Sequence, residues 1–337
     1  MRAKSTGAEG EWLAADSALL GLRPSAWFLR LARAHYHLAH REEAAALADL
    51  RQIPIPVLNA RGLAIVLADR ASLGDAAGAE RDLASASGLL RGQEALIWYV
   101  RGRIDRSRHR APQALAAFDR ELATAIRQNQ PDLILEARFM GALAACEGGD
   151  LAGGASRFDL AAAEARTEQR AEVAADALGL GAYLAAVTAH RRMGRRWRRG
   201  DPAGRDQRLG EAAALHAEPS WPYRLSLALL ASWTGAKLPE DPRTLAAQVP
   251  RVPEVTGVGE LLLARAAWAA GDRVEAGRRL RQAREEGVEK TFFSEEEALL
   301  AADLGGPAQP QWVDPPYPNE LRLAAAWELD RRRGRLR

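Results

Sequence analysis

The chain has 337 residues, of which 47% are hydrophobic and 27% charged, with a formal net charge of +3. That length exceeds what one compact core holds, so it implies two globular domains or one elongated array. A single cysteine, Cys146, excludes an intrachain disulfide and any cysteine-built zinc or iron–sulfur site within one chain.

Alanine and leucine supply most of the apolar content, a palette that favours helices over strands. Only Lys4, Lys237 and Lys290 are lysines, so arginine carries nearly all of the positive charge. That bias, beside the alanine excess, fits GC-rich coding and is poor evidence for nucleic-acid binding. Residues 1–10 lack the apolar core of a signal peptide, and no uncharged run approaches the roughly eighteen residues of a membrane span. A cytoplasmic location without membrane contact is the expectation.

In chain order, residues 1–10 are polar and expected to be disordered, and Glu11 to Leu20 suit a short lead-in helix. Pro24 opens a helix to about His40 with Trp27, Leu31, Ala34 and Leu38 at helical spacing. Glu42 to Leu50 is its partner, and the prolines at Pro54 and Pro56 end that hairpin. A second hairpin, Leu58 to Ser72 with Ala76 to Leu90, turns at Gly74-Asp75, where glycine stops one helix and Asp75 is placed to cap the next.

The third, Glu94 to Ser107 with Pro112 to Gln128, turns at Arg108-His109-Arg110 and lacks the Gly-Asp pair. The fourth, Leu133 to Glu147 with Ala152 to Glu168, turns at Gly149-Asp150. Ala44, Ala79, Ala114 and Gly154 open the second helices at steps of 35, 35 and 40, a period that signals stacked helical hairpins. Glu172 to Met193 reads as a long helix, followed by an enlarged basic turn over 191–208 and a further helix from Arg205 or Gly210. Trp221-Pro222 opens a sixth unit, and Glu254 to Ala270 with Arg273 to Glu286 forms a seventh. Phe293 to Asp303 suits a cap, and 304–337 a proline-rich loop and C-terminal helix with a basic tail.

These units resemble tetratricopeptide repeats, whose motif places Trp, Gly, Ala and an aromatic where two helices pack closely. Trp98, Gly102, Ala114 and Phe118 occupy those places in the third hairpin, although Arg101 and Asp105 stand where Leu and Tyr belong. Ala142, Gly154, Phe158 and Ala161 follow in the fourth, Ala79, Leu83 and Ala86 in the second, and Ala264, Ala276, Leu280 and Ala283 in a late unit. The spacing is similar to the longer repeats of some bacterial transcriptional regulators. The resemblance implies an all-α, right-handed α-solenoid of about seven hairpins over 11–303.

In that family the first helix of each hairpin lines a concave groove that holds peptides. Carried over, the exposed inner places are Arg33, Tyr36 and His37, then Arg61, then Tyr99, Arg103 and Arg106, then Glu136 and Phe139. Arginines beside aromatics suit an acidic protein or peptide partner. The family's lysine–asparagine clamp for chaperone tails is missing, because Leu29, Arg33 and Ala64 stand at its places.

A second candidate is the basic patch Arg191, Arg192, Arg195, Arg196, Trp197, Arg198 and Arg199. Within 191–208 eight arginines face only Asp201 and Asp206, so phosphate contact with stacking on Trp197 is the alternative function. A small-ligand sensor of a regulatory system is a further alternative. His35, His37 and His40 lack the spacing of a helical two-histidine metal site. Phosphate-loop, nucleophile-elbow and H-E-x-x-H motifs are missing as well, so no metal, cofactor or catalytic residue is assigned. The acidic run Glu295-Glu296-Glu297 reads as the start of a helix from Ser294, where negative charge is favourable.

Overall fold

The computed structural model describes residues 27–40, 42–188, 191–193, 196–198, 202–215, 220–234, 240–249, 252 and 255–304. The tails expected at 1–10 and 304–337 lie outside these residues, Leu304 excepted. So do the lead-in helix over 11–20 and Pro24.

Hairpins follow one another along the chain. Helix α1 (Trp27–Ala39) precedes α2 (Glu43–Arg51), α3 (Ala60–Ser72) precedes α4 (Ala76–Ser85), and α5 (Glu94–Ser107) precedes α6 (Ala111–Gln128). Next come α7 (Pro131–Glu147) with α8 (Leu151–Thr167), and α9 (Ala171–Thr188) with α10 (Pro202–Ala213). Helices α11 (Trp221–Thr234), α12 (Pro242–Ala246), α13 (Val258–Ala269), α14 (Arg273–Glu285) and α15 (Ser294–Asp303) complete the described chain. Consecutive helices other than α10 and α11 pack on one another, and α3 also packs on α5, α5 on α7, and α9 on α11. No described helix is long and apolar enough to cross a membrane.

The region 191–208 differs from its expected form. Arg191–Met193 (β1) pairs antiparallel with Arg196–Arg198 (β2), Arg192 standing opposite Trp197. Helix α10 then starts already at Pro202, whose fixed φ suits the first turn of a helix. An enlarged turn is thus a two-stranded ribbon followed by a helix.

The tight turns share one hydrogen-bond pattern. After α3, Gly74 N–H donates to the Ala71 carbonyl and Asp75 N–H to that of Arg70; after α7, Gly149 and Asp150 donate to Cys146 and Ala145. Gly74 and Gly149 hold φ at 93° and 92°, a region that penalises a Cβ. Where the third hairpin lacks glycine, His109 takes φ 56° and the same two bonds form, His109 to Arg106 and Arg110 to Asp105. Asp150 caps α8 by accepting from Gly153 N–H at 2.9 Å. Asp75, expected to cap α4, makes no such bond and instead binds Arg51 at 3.1 Å and Arg70 at 2.8 Å. The nearby guanidiniums outbid the backbone for its carboxylate.

Small residues let the helices approach. A methyl on Gly102 would stand 2.4 Å from the ring of Phe118, which is fully buried. One on Gly154 would meet the sulfur of Cys146, a buried free thiol, at 2.1 Å. The interior divides into a cluster from Ala34 to Ile104, a second from Leu135 to Ala301, and a small one of Ala114, Phe118 and Ala144 between. In the second cluster Phe292 meets Phe158 and Phe293 meets Tyr183, with ring centroids 6.3 and 5.6 Å apart. The acidic run does start α15, but its role is larger than favouring a helix end. Glu296 is fully buried against Arg265 at 2.5 Å, and Glu297 pairs with Arg284, so α15 is tied to α13 and α14.

Candidate functional site

Each odd-numbered helix from α1 to α11 contributes lining residues to a common cavity of about 350 Å³. Residues three or four apart on a helix share a face, which is why pairs recur: Asp69 with Ser72 on α3, Arg103 with Arg106 on α5, Phe139 with Leu143 on α7. Leu180 from α9 and Trp221 from α11 extend the wall, and Phe292 and Phe293 add to it from the segment before α15. Glu43, in the first turn of α2, lines it as well. Among the described residues every charged lining side chain comes from α2, α3 or α5, and the side formed by α7 and later elements is apolar. The cavity is therefore amphipathic from end to end.

Its charged groups are held by neighbours. Arg106, only 6% exposed, grips Glu147 of α7 with Nε and Nη2 at 3.0 and 2.8 Å. Arg103 donates to the Ser72 hydroxyl and stands 3.9 Å from Glu136. Asp69 shares a hydrogen bond with His35 Nε2 at 3.0 Å through Oδ2, which raises the imidazole pKa. Behind Arg103 lies Glu121 on α6, fully buried, with neither carboxyl oxygen hydrogen-bonded among the described residues. Burial pushes its pKa well above the usual range, Glu136 repels it further, and Arg103 opposes the shift. Burial also raises Glu136, against the pull of Arg103. Glu136 nonetheless keeps 35% of its side-chain surface open.

The nine expected groove residues do not form one surface. Arg103, Arg106 and Phe139 line the cavity, with Glu136 beside Arg103. Tyr99 packs on the Ala34–Ile104 cluster, where burial raises its hydroxyl pKa. Arg33 is bound to Asp49 of its own hairpin at 2.6 Å, His37 lies 2.5 Å from Glu42, and Tyr36 stacks on His40 at 4.0 Å. Arg61 pairs with Asp132 at 2.8 Å near a different recess, at the start of α3 and α7. The expectation of exposed arginines fails most clearly at Arg106. A buried guanidinium needs a carboxylate, and adjacent helices supply one.

The basic stretch 191–208 runs past the patch 191–199 to Arg205 and Arg208. Arg208 binds Asp159 at 2.6 Å and Arg205 binds Asp206 at 2.7 Å, so two of the eight arginines are paired within the chain. Arg191, Arg192, Arg196, Trp197 and Arg198 form the ribbon's backbone pairs, while Arg195 and Arg199 lie outside the described residues. Comparison with protein-family models, curated proteins and solved structures finds no match.

Asp69, Ser72, Leu143, Trp221, Phe292 and Phe293 were not among the expected site residues. A constant step would have found the first two. His35, Asp69 and Arg103 stand 34 residues apart in turn, as do Leu38, Ser72 and Arg106. Stacked helices bring equivalent places together, so register selects better than residue type.

Proposed function

We propose that this chain is a non-enzymatic regulatory module, a right-handed tetratricopeptide-like array whose inner face receives a small ligand. The observation that carries the reading is the cavity of about 350 Å³, lined from six first helices and by Phe292 and Phe293. That volume lies in the range of small-molecule pockets. The protein or peptide partner expected from the family resemblance is less well served, because the arginines meant to grip it are occupied by carboxylates. Close packing of Gly102 on Phe118 and of Gly154 on Cys146 supports the repeat assignment. Nucleic-acid binding through 191–208 loses support with Arg205 and Arg208 already paired.

A thermal-shift screen of the full chain against small metabolites tests the proposal, with Leu143→Trp as a variant that fills the cavity. A ligand should raise the Tm of the parent and leave the variant unmoved. A parent that answers to no metabolite, or a variant that responds equally, would take the site away from the cavity.

A further inference from the structure

The charged side chains on the cavity wall are already engaged within the chain. Arg106 is held by Glu147 at 2.8 Å, and Arg103 by the Ser72 hydroxyl with Glu136 at 3.9 Å. Asp69 shares a hydrogen bond with His35, and Glu43 also has an interaction within the chain. A charged ligand would have to draw one of these groups away from its partner. Taking Arg106 would leave the Glu147 side chain, only 8% exposed, without its guanidinium. A buried pair broken in this way leaves an uncompensated charge behind. A ligand charge that left every pair intact would lose its water and find no unpaired counter-charge among the described lining residues.

What the wall offers an occupant is apolar surface. Eleven of the sixteen described lining residues are Leu, Val, Phe, Trp or Pro. Leu38, Leu73, Phe139, Leu143, Trp221 and Val255 pack against the two large core clusters and yet stay partly exposed. All six line the same concavity, so one occupant of the cavity's own size can cover them together. The volume of about 350 Å³ corresponds to roughly a dozen waters at ~30 Å³ each, the space of about as many heavy atoms. Burying such surface is favourable without any polar partner, and the rings of Phe139 and Trp221 favour a flat aromatic neighbour.

We propose that the cavity binds a small uncharged molecule, mostly apolar and built on a flat ring system. It would cover Leu38 and Leu73 of one core and Phe139, Leu143 and Trp221 of the other at once. This rests on the small-ligand reading above and adds the class of ligand. Burial of apolar area supplies the affinity, and the paired charges around it discriminate against charged molecules of the same shape.

Isothermal titration of the full chain with three probes of one shape tests it: 1-naphthalenemethanol, 1-naphthoate and 1-naphthylmethylammonium. The neutral alcohol should bind one-to-one with a Kd on the order of 10 μM, and each charged probe at least ~10-fold more weakly. Leu143→Trp should abolish binding of the alcohol. Leu38→Trp, which fills the space from the other core, takes its place where circular dichroism shows the first variant unfolded. If either charged probe binds as tightly as the alcohol, the uncharged class is overturned and the cavity reading survives. If none of the three binds while a metabolite raises the Tm of the parent but not of the variant, this inference falls alone. If nothing binds or stabilises the parent, both fall. Alcohol binding that persists in a folded variant moves the site off the cavity and also overturns both.

Discussion

The two large core clusters are built by different means. The Ala34–Ile104 cluster is mostly alanine, leucine and valine from hairpins that succeed one another along the chain, and its contacts repeat at the period of the hairpin. The Leu135–Ala301 cluster is stitched by aromatic rings, and it joins Phe158 of α8 to Phe292, far ahead in sequence. Small residues let the consecutive helices of the first cluster pack closely. The second cluster is also mostly alanine and leucine, and its aromatic rings add contacts between residues far apart in sequence. The cavity lies where the two meet, so the first region contributes its charges and the second its apolar wall.

Removing an aromatic link should separate the regions most sharply. Phe292 is 4% exposed and touches Phe158, Tyr183 and Phe293. Phe292→Ala should cost about 3–5 kcal/mol in urea unfolding, the usual loss for a buried phenylalanine. Hydrogen exchange should accelerate in α8, α9 and α15 while α3 and α4 keep their protection. A loss under about 1 kcal/mol, or one spread evenly over both regions, would show that the cores are not distinct in this way.

The hairpins of the first region were readable because each needs only local signals: apolar residues at helical spacing, a turn, and small residues where helices cross. Gly102 against Phe118 is such a case, predicted as a motif pair and found in contact. Closure by Phe292 and Phe293 left no local trace, since their partners lie more than a hundred residues back and obey no period. Nor could the ribbon be read, because Arg191 to Arg198 has no apolar alternation to mark strands. Inner-face residues chosen by chemical type scattered over several faces, as Arg33, Arg61 and Tyr99 did. Places taken at a constant step of 34 converge on the cavity where Leu38, Ser72 and Arg106 line it together.

Glu121 offers a test at the seam between the regions. It is buried behind Arg103 with no hydrogen-bond partner among the described residues, and its pKa is raised well above 4.5 by burial. The folded state therefore holds a proton that the unfolded state releases above about pH 4.5. Stability from this group is full below that pH and is lost as pH rises through the folded pKa. Glu121→Met removes both the proton linkage and the unpaired oxygens. At pH 7 it should gain about 1–3 kcal/mol, the cost of an unsatisfied buried polar group. The gain should shrink toward pH 4. An equal effect at both pH values would mean that Glu121 is not kept neutral by the fold.

The smallest effects should come from the turns, where the first region's regularity can be adjusted directly. Turns of identical hydrogen bonding use glycine at φ 85° to 93° but other residues at 51° to 57°. The second range is the left-handed helical well that a side chain can enter at modest cost, and the first lies beyond it. Gly149→Ala should therefore destabilise by about 1–2 kcal/mol, since the added Cβ must pull φ back toward that well. Gln169, exposed at φ 57° between α8 and α9, is the converse case. Gln169→Gly relieves the left-handed penalty and adds chain entropy to the unfolded state, leaving a gain no larger than about 0.5–1 kcal/mol. Thermal unfolding of the two variants side by side checks the pair. If Gly149→Ala proves harmless, φ near 90° is not a fixed requirement of these turns, and the glycines are a choice of composition rather than of geometry.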